Sequence, residues 1–512
     1  MKTRLATAAA LALALAGCKQ DPKDPKTWIG KLDGAHDQQM AALKQLKALK
    51  SPDAVPAVAA LLKDATLREE AATVLEATGD KRAVQPLVDA ADPTAPAGTD
   101  KASQQVNQAN TRIATALGAL GDPAAVPVLR RLAKSHDNFV RIAAIESLGQ
   151  LKAKDAVDDL LAIADEPDSP ALIVKKCVVA LGQIGDPKAL PLFERLLVIE
   201  KGGVSFISED SYAIFLLGAQ SVEPLTALLG DKDKAFLKWA KDHDRAMAGV
   251  YAKAALVLGD IADPRAIPAL APKLKYQDDN SDPNQNFLFT MYVRAYAADA
   301  LGHMRDKASA NAIAAQLSAD EQVASEELDM FGARALTSIG DRSQAAKLVD
   351  KAKKGEWKRR AYLIQAAANL GGAKEEAALE KLAAGEEPDH AKFIKEQVAK
   401  LAAAAACKDA ACWRGKLAAP DARVRERAAW EVGWADDAEG VSALVTAAKD
   451  PALSVRVAAY RALDLIALGD HKAAAKSAAA PLAAQYEAER GHVDVAVVNE
   501  DLKRLVARLQ SL

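Results

Sequence analysis

Apolar positions along this chain recur at helical spacing and are interrupted, again and again, by the same turn. "ALGALGDPAAVPVLRRL" at 116–132 returns as "ALGQIGDPKALPLFERLL" at 180–197 and as "VLGDIADPRAIPALAPKL" at 257–274. In each copy a first helix carries the apolar stripe, as in "VRIAAIESLG", where Val140, Ala144, Ile145 and Leu148 share one face. Small residues or Gly are expected to end that helix, because Gly adopts the left-handed conformation of a helix end without strain. Asp then caps the second helix, and Pro fits its first turn, where a missing N–H costs nothing. Runs of Val, Ile, Thr and aromatics alternating at period two are missing, so the chain reads as all-α.

With Gly118 as reference, the equivalent positions are Lys47, Glu76, Gly149, Gly182, Gly218, Gly259, Gly302, Thr337, Gly371, Ala402, Gly433 and Asp464, most often 31 residues apart. So short a unit cannot bury its own apolar faces, and neighbours must stack around a shared core. The Leu-Gly pair, the Gly-Asp-Pro turn and the following Ala, branched apolar residue and Pro resemble HEAT repeats, of the short kind associated with phycobilisome lyases. The resemblance covers 38–486. It implies a right-handed α-solenoid of about thirteen hairpins, with a capping helix in 487–512, where "VNEDLKRLVARLQSL" has the spacing to cover the last repeat. In such arrays an Arg of the first helix ties neighbours together through a turn Asp. Arg68, Arg141, Arg294, Arg425 and Arg456, each eight residues before a reference position, are the candidates. Asp80, Asp122, Asp186, Asp263 and Asp341 would be both caps and their partners.

The N-terminus follows another pattern. "MKTR" is a basic n-region and "LATAAALALALA" an apolar stretch too short to span a bilayer comfortably, so 1–17 reads as a signal peptide. "LAGC" looks like a bacterial lipobox, which implies a lipid on Cys18. The polar segment 18–37, with two prolines, then serves as the tether. Two or more acyl chains anchor a protein stably. Lys19 after the Cys is compatible with transfer to the outer membrane, so the expected place is the cell envelope, facing the periplasm. No later stretch has 18 consecutive apolar residues, which leaves the lipid as the expected membrane attachment.

Composition narrows the chemistry. The 67 Lys and Arg against 69 Asp and Glu leave no basic excess for a nucleic acid. Seven scattered His show no metal-ligand spacing, His243 in "KDHD" included, and neither a phosphate loop nor a dinucleotide fingerprint occurs. "GGVSF" at 202–206 lacks the second Gly of a nucleophile elbow. "DDNSDPNQNFLF" at 278–289 starts like a calcium loop, with Asp278, Asn280 and Asp282. It then has Pro283 where the Gly belongs and Phe289 where the bidentate Glu belongs. No catalytic, metal or cofactor set is therefore expected. Among four Cys, Cys407 and Cys412 flank a helix start and are expected to form a disulfide, with Cys177 a buried thiol.

That leaves surface. Repeat arrays bind along the concave face and the loops of one edge. The expansions at 92–105, 199–210, 230–244 and 275–287 all follow a second helix, and 11 of the 23 aromatics fall within 206–296. Phe206, Trp239, Tyr276 and Phe287 are the candidate partner contacts, unless they seal the wider repeat junctions. The expected function is a lipid-anchored scaffold for another envelope protein. A role beside an enzyme, as the phycobilisome-lyase resemblance implies, and binding of an envelope polysaccharide remain open.

Overall fold

The computed structural model describes residues 21–96, 98, 100–317 and 325–512; Cys18 and the signal segment lie outside them. Among these residues thirteen helical hairpins follow one another, from His36–Leu49 to Leu453–Leu468 with its companion Ala479–Glu489, and Ala496–Ser511 comes last. The chain divides into two compact units, one of 1–193 with 200–213 and one of 194–199 with 214–512. Its one sheet among the described residues is a hairpin, Glu200–Lys201 against Val204–Ser205.

The Leu-Gly glycines do not end the first helices; they let neighbouring first helices touch. In the first unit a Cβ on Gly149 would lie 2.8 Å from Ala180 Cα, and one on Gly182 2.7 Å from Ala213 Cα. In the second unit a Cβ on Gly302 would lie 2.6 Å from Ala335 Cα, and one on Gly433 2.7 Å from Ala462 Cα. Real Cβ atoms do not approach so closely, so each of these sites excludes even Ala unless the helices separate. The left-handed helix end falls three residues later, at Gly121 (φ 68°) and Gly185 (φ 74°), and at Lys152, Ala262 and Arg305 without a Gly.

That offset corrects two reference positions. Gly218, at φ 58°, is itself the left-handed end, so Phe215 is the residue equivalent to Gly182. Gly371 follows the last residue of Trp357–Leu370, and the Arg position points to Ala368 as the equivalent there. The turn aspartates do cap: Asp80, Asp122, Asp186, Asp263 and Asp341 each accept from the backbone N–H two residues on.

The ladder arginines take other partners. Arg68, Arg294 and Arg456 donate to the carbonyls of Leu62, Tyr276 and Asp450, which close the preceding second helix. Arg425 pairs with Asp450, Arg141 with Glu166 and Arg456 with Glu489. Arg360, eight before Ala368, does the same with the Ala352 carbonyl and Glu386. The ladder therefore ties a first helix to linkers, not to turn aspartates. The guanidinium does this well because its fork serves a carbonyl and a carboxylate at once.

Ile207–Leu229 is apolar on average over 23 residues, but it is two helices, Ile207–Leu217 and Val222–Leu229, broken at Gly218. Neither approaches the roughly 20 residues a bilayer needs.

Candidate functional site

The first helices of the first unit leave one face free. Phe139, at the start of Asn138–Gln150, is 74% exposed, and Leu172, at the start of Ala171–Ile184, is 53% exposed. Beside Phe139 runs a groove of about 500 Å³, floored by Gln108, Thr111 and Thr115 of Lys101–Leu120 and edged by Glu69 and Asp137. Positions 108, 111 and 115 are three and four apart, which is why they share a helix face. Arg112 is drawn sideways, donating to Thr73 Oγ1 at 2.7 Å and pairing with Glu76 at 3.1 Å. The groove thus offers amide and hydroxyl groups next to a bare aromatic ring.

In the second unit the chain itself covers part of the equivalent face, towards the C-terminal ends of the first helices, while Tyr292, placed as Phe139 is, stays 37% exposed. Arg504 of Ala496–Ser511 pairs with Asp260 at 2.9 Å. Arg508 pairs with Asp464 at 2.6 Å, donates to the Ile261 carbonyl at 3.1 Å, and sits over the Phe215 ring. Arg461 reaches His303 Nε2 at 2.6 Å, while His303 Nδ1 lies 2.8 Å from the Gly259 carbonyl. A neutral ring with its proton on Nδ1 satisfies both contacts: it donates to Gly259 and accepts from Arg461. Trp434 Nε1 donates to the Thr337 carbonyl at 3.1 Å, Arg342 pairs with Glu431 at 2.6 Å, and Arg427 donates to the Ala368 carbonyl at 2.8 Å. Gly340, at φ 72°, lies so close to the Trp434 ring that a Cβ would stand 3.0 Å from it. First helices of repeats more than 50 residues apart are thereby laid on one another.

The charges in this closure are tuned by burial and by each other. Burial, helped by the Arg461 guanidinium, pushes His303 down to about 4. Burial alone would raise Asp299, but Arg334, which grips it through two bonds of 2.8 and 2.6 Å, and His303 hold it at about 2. Asp260 rises to about 6, because its burial outweighs the pull of Arg504 and Arg461.

The four aromatic candidates are divided between the units and engaged in packing. Phe206, expected at a contact surface, is 1% exposed and belongs to the core of the first unit. Its position just after the small hairpin turns it inward. The other three lie half-buried in the second unit. Trp239 stacks on His243 with centroids 4.9 Å apart, and Tyr276 meets Tyr251 edge-on at 5.6 Å and donates to Asp278. Phe287 lines a recess of about 320 Å³. The 278–284 segment is a run of side-chain-capped turns: Asp278, Asn280 and Asp282 each accept from the N–H two residues on. No group of three or more metal-ligating side chains occurs among the described residues. Cys407 and Cys412 are disulfide-bonded, with Cα atoms 5.5 Å apart, and Cys177 is buried and free.

Sequence reasoning passed over Phe139, Leu172 and the whole arginine closure. Phe139 carried a signal, an aromatic inside a first helix at a position the core stripe does not need. The closure carried none, since Arg461, Arg504 and Arg508 look like ordinary polar-face residues.

The class is plain from this architecture: an all-α protein of HEAT-like helical hairpins. The family model for HEAT repeats matches 107–174, and that for the PBS lyase HEAT-like repeat matches 67–93, 250–276 and 293–318. Among solved structures the chain is similar to human deoxyhypusine hydroxylase, at 19% identity over 62% of this chain and 96% of that one, with a TM-score of 0.22. The complex of two phycocyanin lyase subunits from Nostoc also shows 19% identity, over 62% of this chain and 94% of that one, at 0.26. Yeast importin-beta shows 12% identity over 95% of this chain and 69% of that one, at 0.45. Likeness at this level bears on neither activity nor partner. No curated protein sequence matches the chain.

Proposed function

We propose that the chain is a binding scaffold, held to the cell envelope by a lipid on Cys18, whose protein partner seats on the first-helix face of the first unit. The exposure of Phe139 and Leu172 on consecutive first helices carries this reading. Of the two, Phe139 lines the polar groove, and an aromatic ring left bare in such a place suits a protein contact, where aromatics contribute most. In the second unit the arginine contacts occupy part of the equivalent face, where Tyr292 stays 37% exposed.

The test is affinity capture from detergent-solubilised envelopes. A Phe139→Asp, Leu172→Asp double variant is expected to keep its helical circular dichroism and melting temperature, since both side chains are exposed, and to lose the captured protein. Undiminished capture by the folded variant would reject the site. The anchor is tested separately: Cys18→Ser is expected to release the protein from membranes, and its retention after a carbonate wash would reject the lipid.

A further inference from the structure

Most ladder arginines meet a carboxylate: Arg141, Arg360, Arg425 and Arg456 pair with Glu166, Glu386, Asp450 and Glu489. Arg68 and Arg294 keep the carbonyl contact but have no such acid among the described residues. Of these two, Arg294 lines the recess of about 320 Å³ beside Phe287, in the second unit. Its Nε donates to the Tyr276 carbonyl at 2.6 Å, and its Nη2 makes a long bond of 3.4 Å to Gln277 Oε1. That second contact lies at the surface, so the fork is open to a ligand. Burial lowers the guanidinium, and no acidic side chain stands close enough to offset it.

Arg294 is the one charged residue of that lining. The side-chain acceptors around it are already served. Gln277 Nε2 donates to Asn286 Oδ1 and to Thr290 Oγ1, and the Asp282 N–H donates to Asn280 Oδ1. Donors are left over: among the described residues Arg294 Nη1, Asn280 Nδ2 and the Ser281 hydroxyl donate to no acceptor of the chain. Asn280 and Ser281 are exposed, so a ligand in the recess can reach them. Asp278 and Asp282, in the adjoining turns, are not part of the lining. Their carboxylates accept from the Tyr276 hydroxyl and from backbone N–H groups.

We infer that this recess is a binding site for a small organic carboxylate, which completes the Arg294 fork as Glu386 and Asp450 complete theirs and lays its apolar part against Phe287. A guanidinium presents its N–H groups in a plane that a carboxylate matches at two points, and such charge-assisted pairs are the strong ones. Spare donors and one unbalanced positive charge call for an acceptor that carries negative charge, and they turn a cation away. The volume lies at the lower end of small-molecule pockets, about 300 Å³. The site is independent of the partner face on the first unit.

Calorimetric titration of the full chain at pH 7 compares phenylacetate, phenylacetamide and phenylethylamine, which share a ring and differ in charge. Phenylacetate is expected to bind one per chain, about tenfold or more tighter than either of the others, the factor a hydrogen bond to a charged group commands. Gln277→Glu puts a carboxylate where Oε1 already meets Arg294, at an exposed position. It supplies from within the chain what the ligand would bring, and is expected to weaken phenylacetate binding about tenfold or more. Arg294→Gln, which keeps a donor for the Tyr276 carbonyl, is expected to do the same. Circular dichroism verifies that each variant is folded. Absence of phenylacetate binding, as when an acid of the chain already serves the fork, overturns the inference. So does equal affinity for the neutral or the cationic compound, or undiminished binding by folded Gln277→Glu.

Discussion

Two kinds of glycine occupy neighbouring places in this repeat, and they should respond differently to one methyl group. At Gly302 the added Cβ meets Ala335 Cα at 2.6 Å, backbone that cannot swing away. Gly302→Ala must therefore push a pair of helices apart, and overpacking of that kind costs about 1–3 kcal/mol. At Gly121 nothing lies within 4 Å, but φ is 68°. Gly121→Ala meets only left-handed strain, about 1 kcal/mol. Urea melts should show the larger loss for Gly302→Ala; the reverse order would mean that the close approach relaxes freely. The sequence made these glycines conspicuous but misassigned their task. Leu-Gly followed three residues later by Gly offers two candidates for one helix end, and only the contact across to the next repeat tells them apart.

At the scale of the helix, the elements most at risk from acid are Pro283–His303 and Leu453–Leu468, joined through His303 and Arg461. His303 titrates near 6.5 when unfolded and near 4 in place, where Arg461, Asp299, Arg334 and Asp464 surround it. A folded value below the unfolded one means that its stability is complete above pH 6.5 and is lost as pH falls towards 4. The shift corresponds to about 3 kcal/mol. Asp260 works the other way, because its raised value favours the fold as pH drops below about 6. Comparison with His303→Gln removes that opposing contribution, since Asp260 titrates in both proteins. The urea midpoint of the unsubstituted protein should fall relative to the variant between pH 7 and 4; parallel profiles would show that His303 does not sense pH. Helices and turns were legible in the sequence because period, Gly and Asp-Pro are local signals. This pairing was not, because His303 and Arg461 are 158 residues apart and neither differs in type from a surface residue.

The closure of the second unit changes how a molecule of this kind holds together. In an open array each hairpin touches only its neighbours, so damage stays local. Here Arg508, near the end of the chain, joins Asp464 to the carbonyl of Ile261, some 250 residues earlier. Arg508→Ala leaves those acceptors without their guanidinium. Hydrogen exchange in Met247–Ile261 is expected to speed up about tenfold or more, with Lys101–Leu120 in the first unit unchanged. Unaltered protection in Met247–Ile261 would mean that the contact adds no stability. The sequence told which residues form hairpins and how many there are; it could not tell which hairpins meet again after a hundred residues.

A lineage that gains or loses repeats would feel that closure as a counting rule. One hairpin more between His303 and Ala422 carries Arg461, Arg504 and Arg508 a full repeat beyond His303, Asp260 and Ile261, and one fewer stops them short. Repeat number in the second unit is therefore fixed by the contacts that end it. The first unit shows no such return contact among its described residues, so duplication or loss of a hairpin there lengthens or shortens a face without breaking one. Relatives of this chain should vary in length on the Phe139 side and keep their count on the Arg508 side.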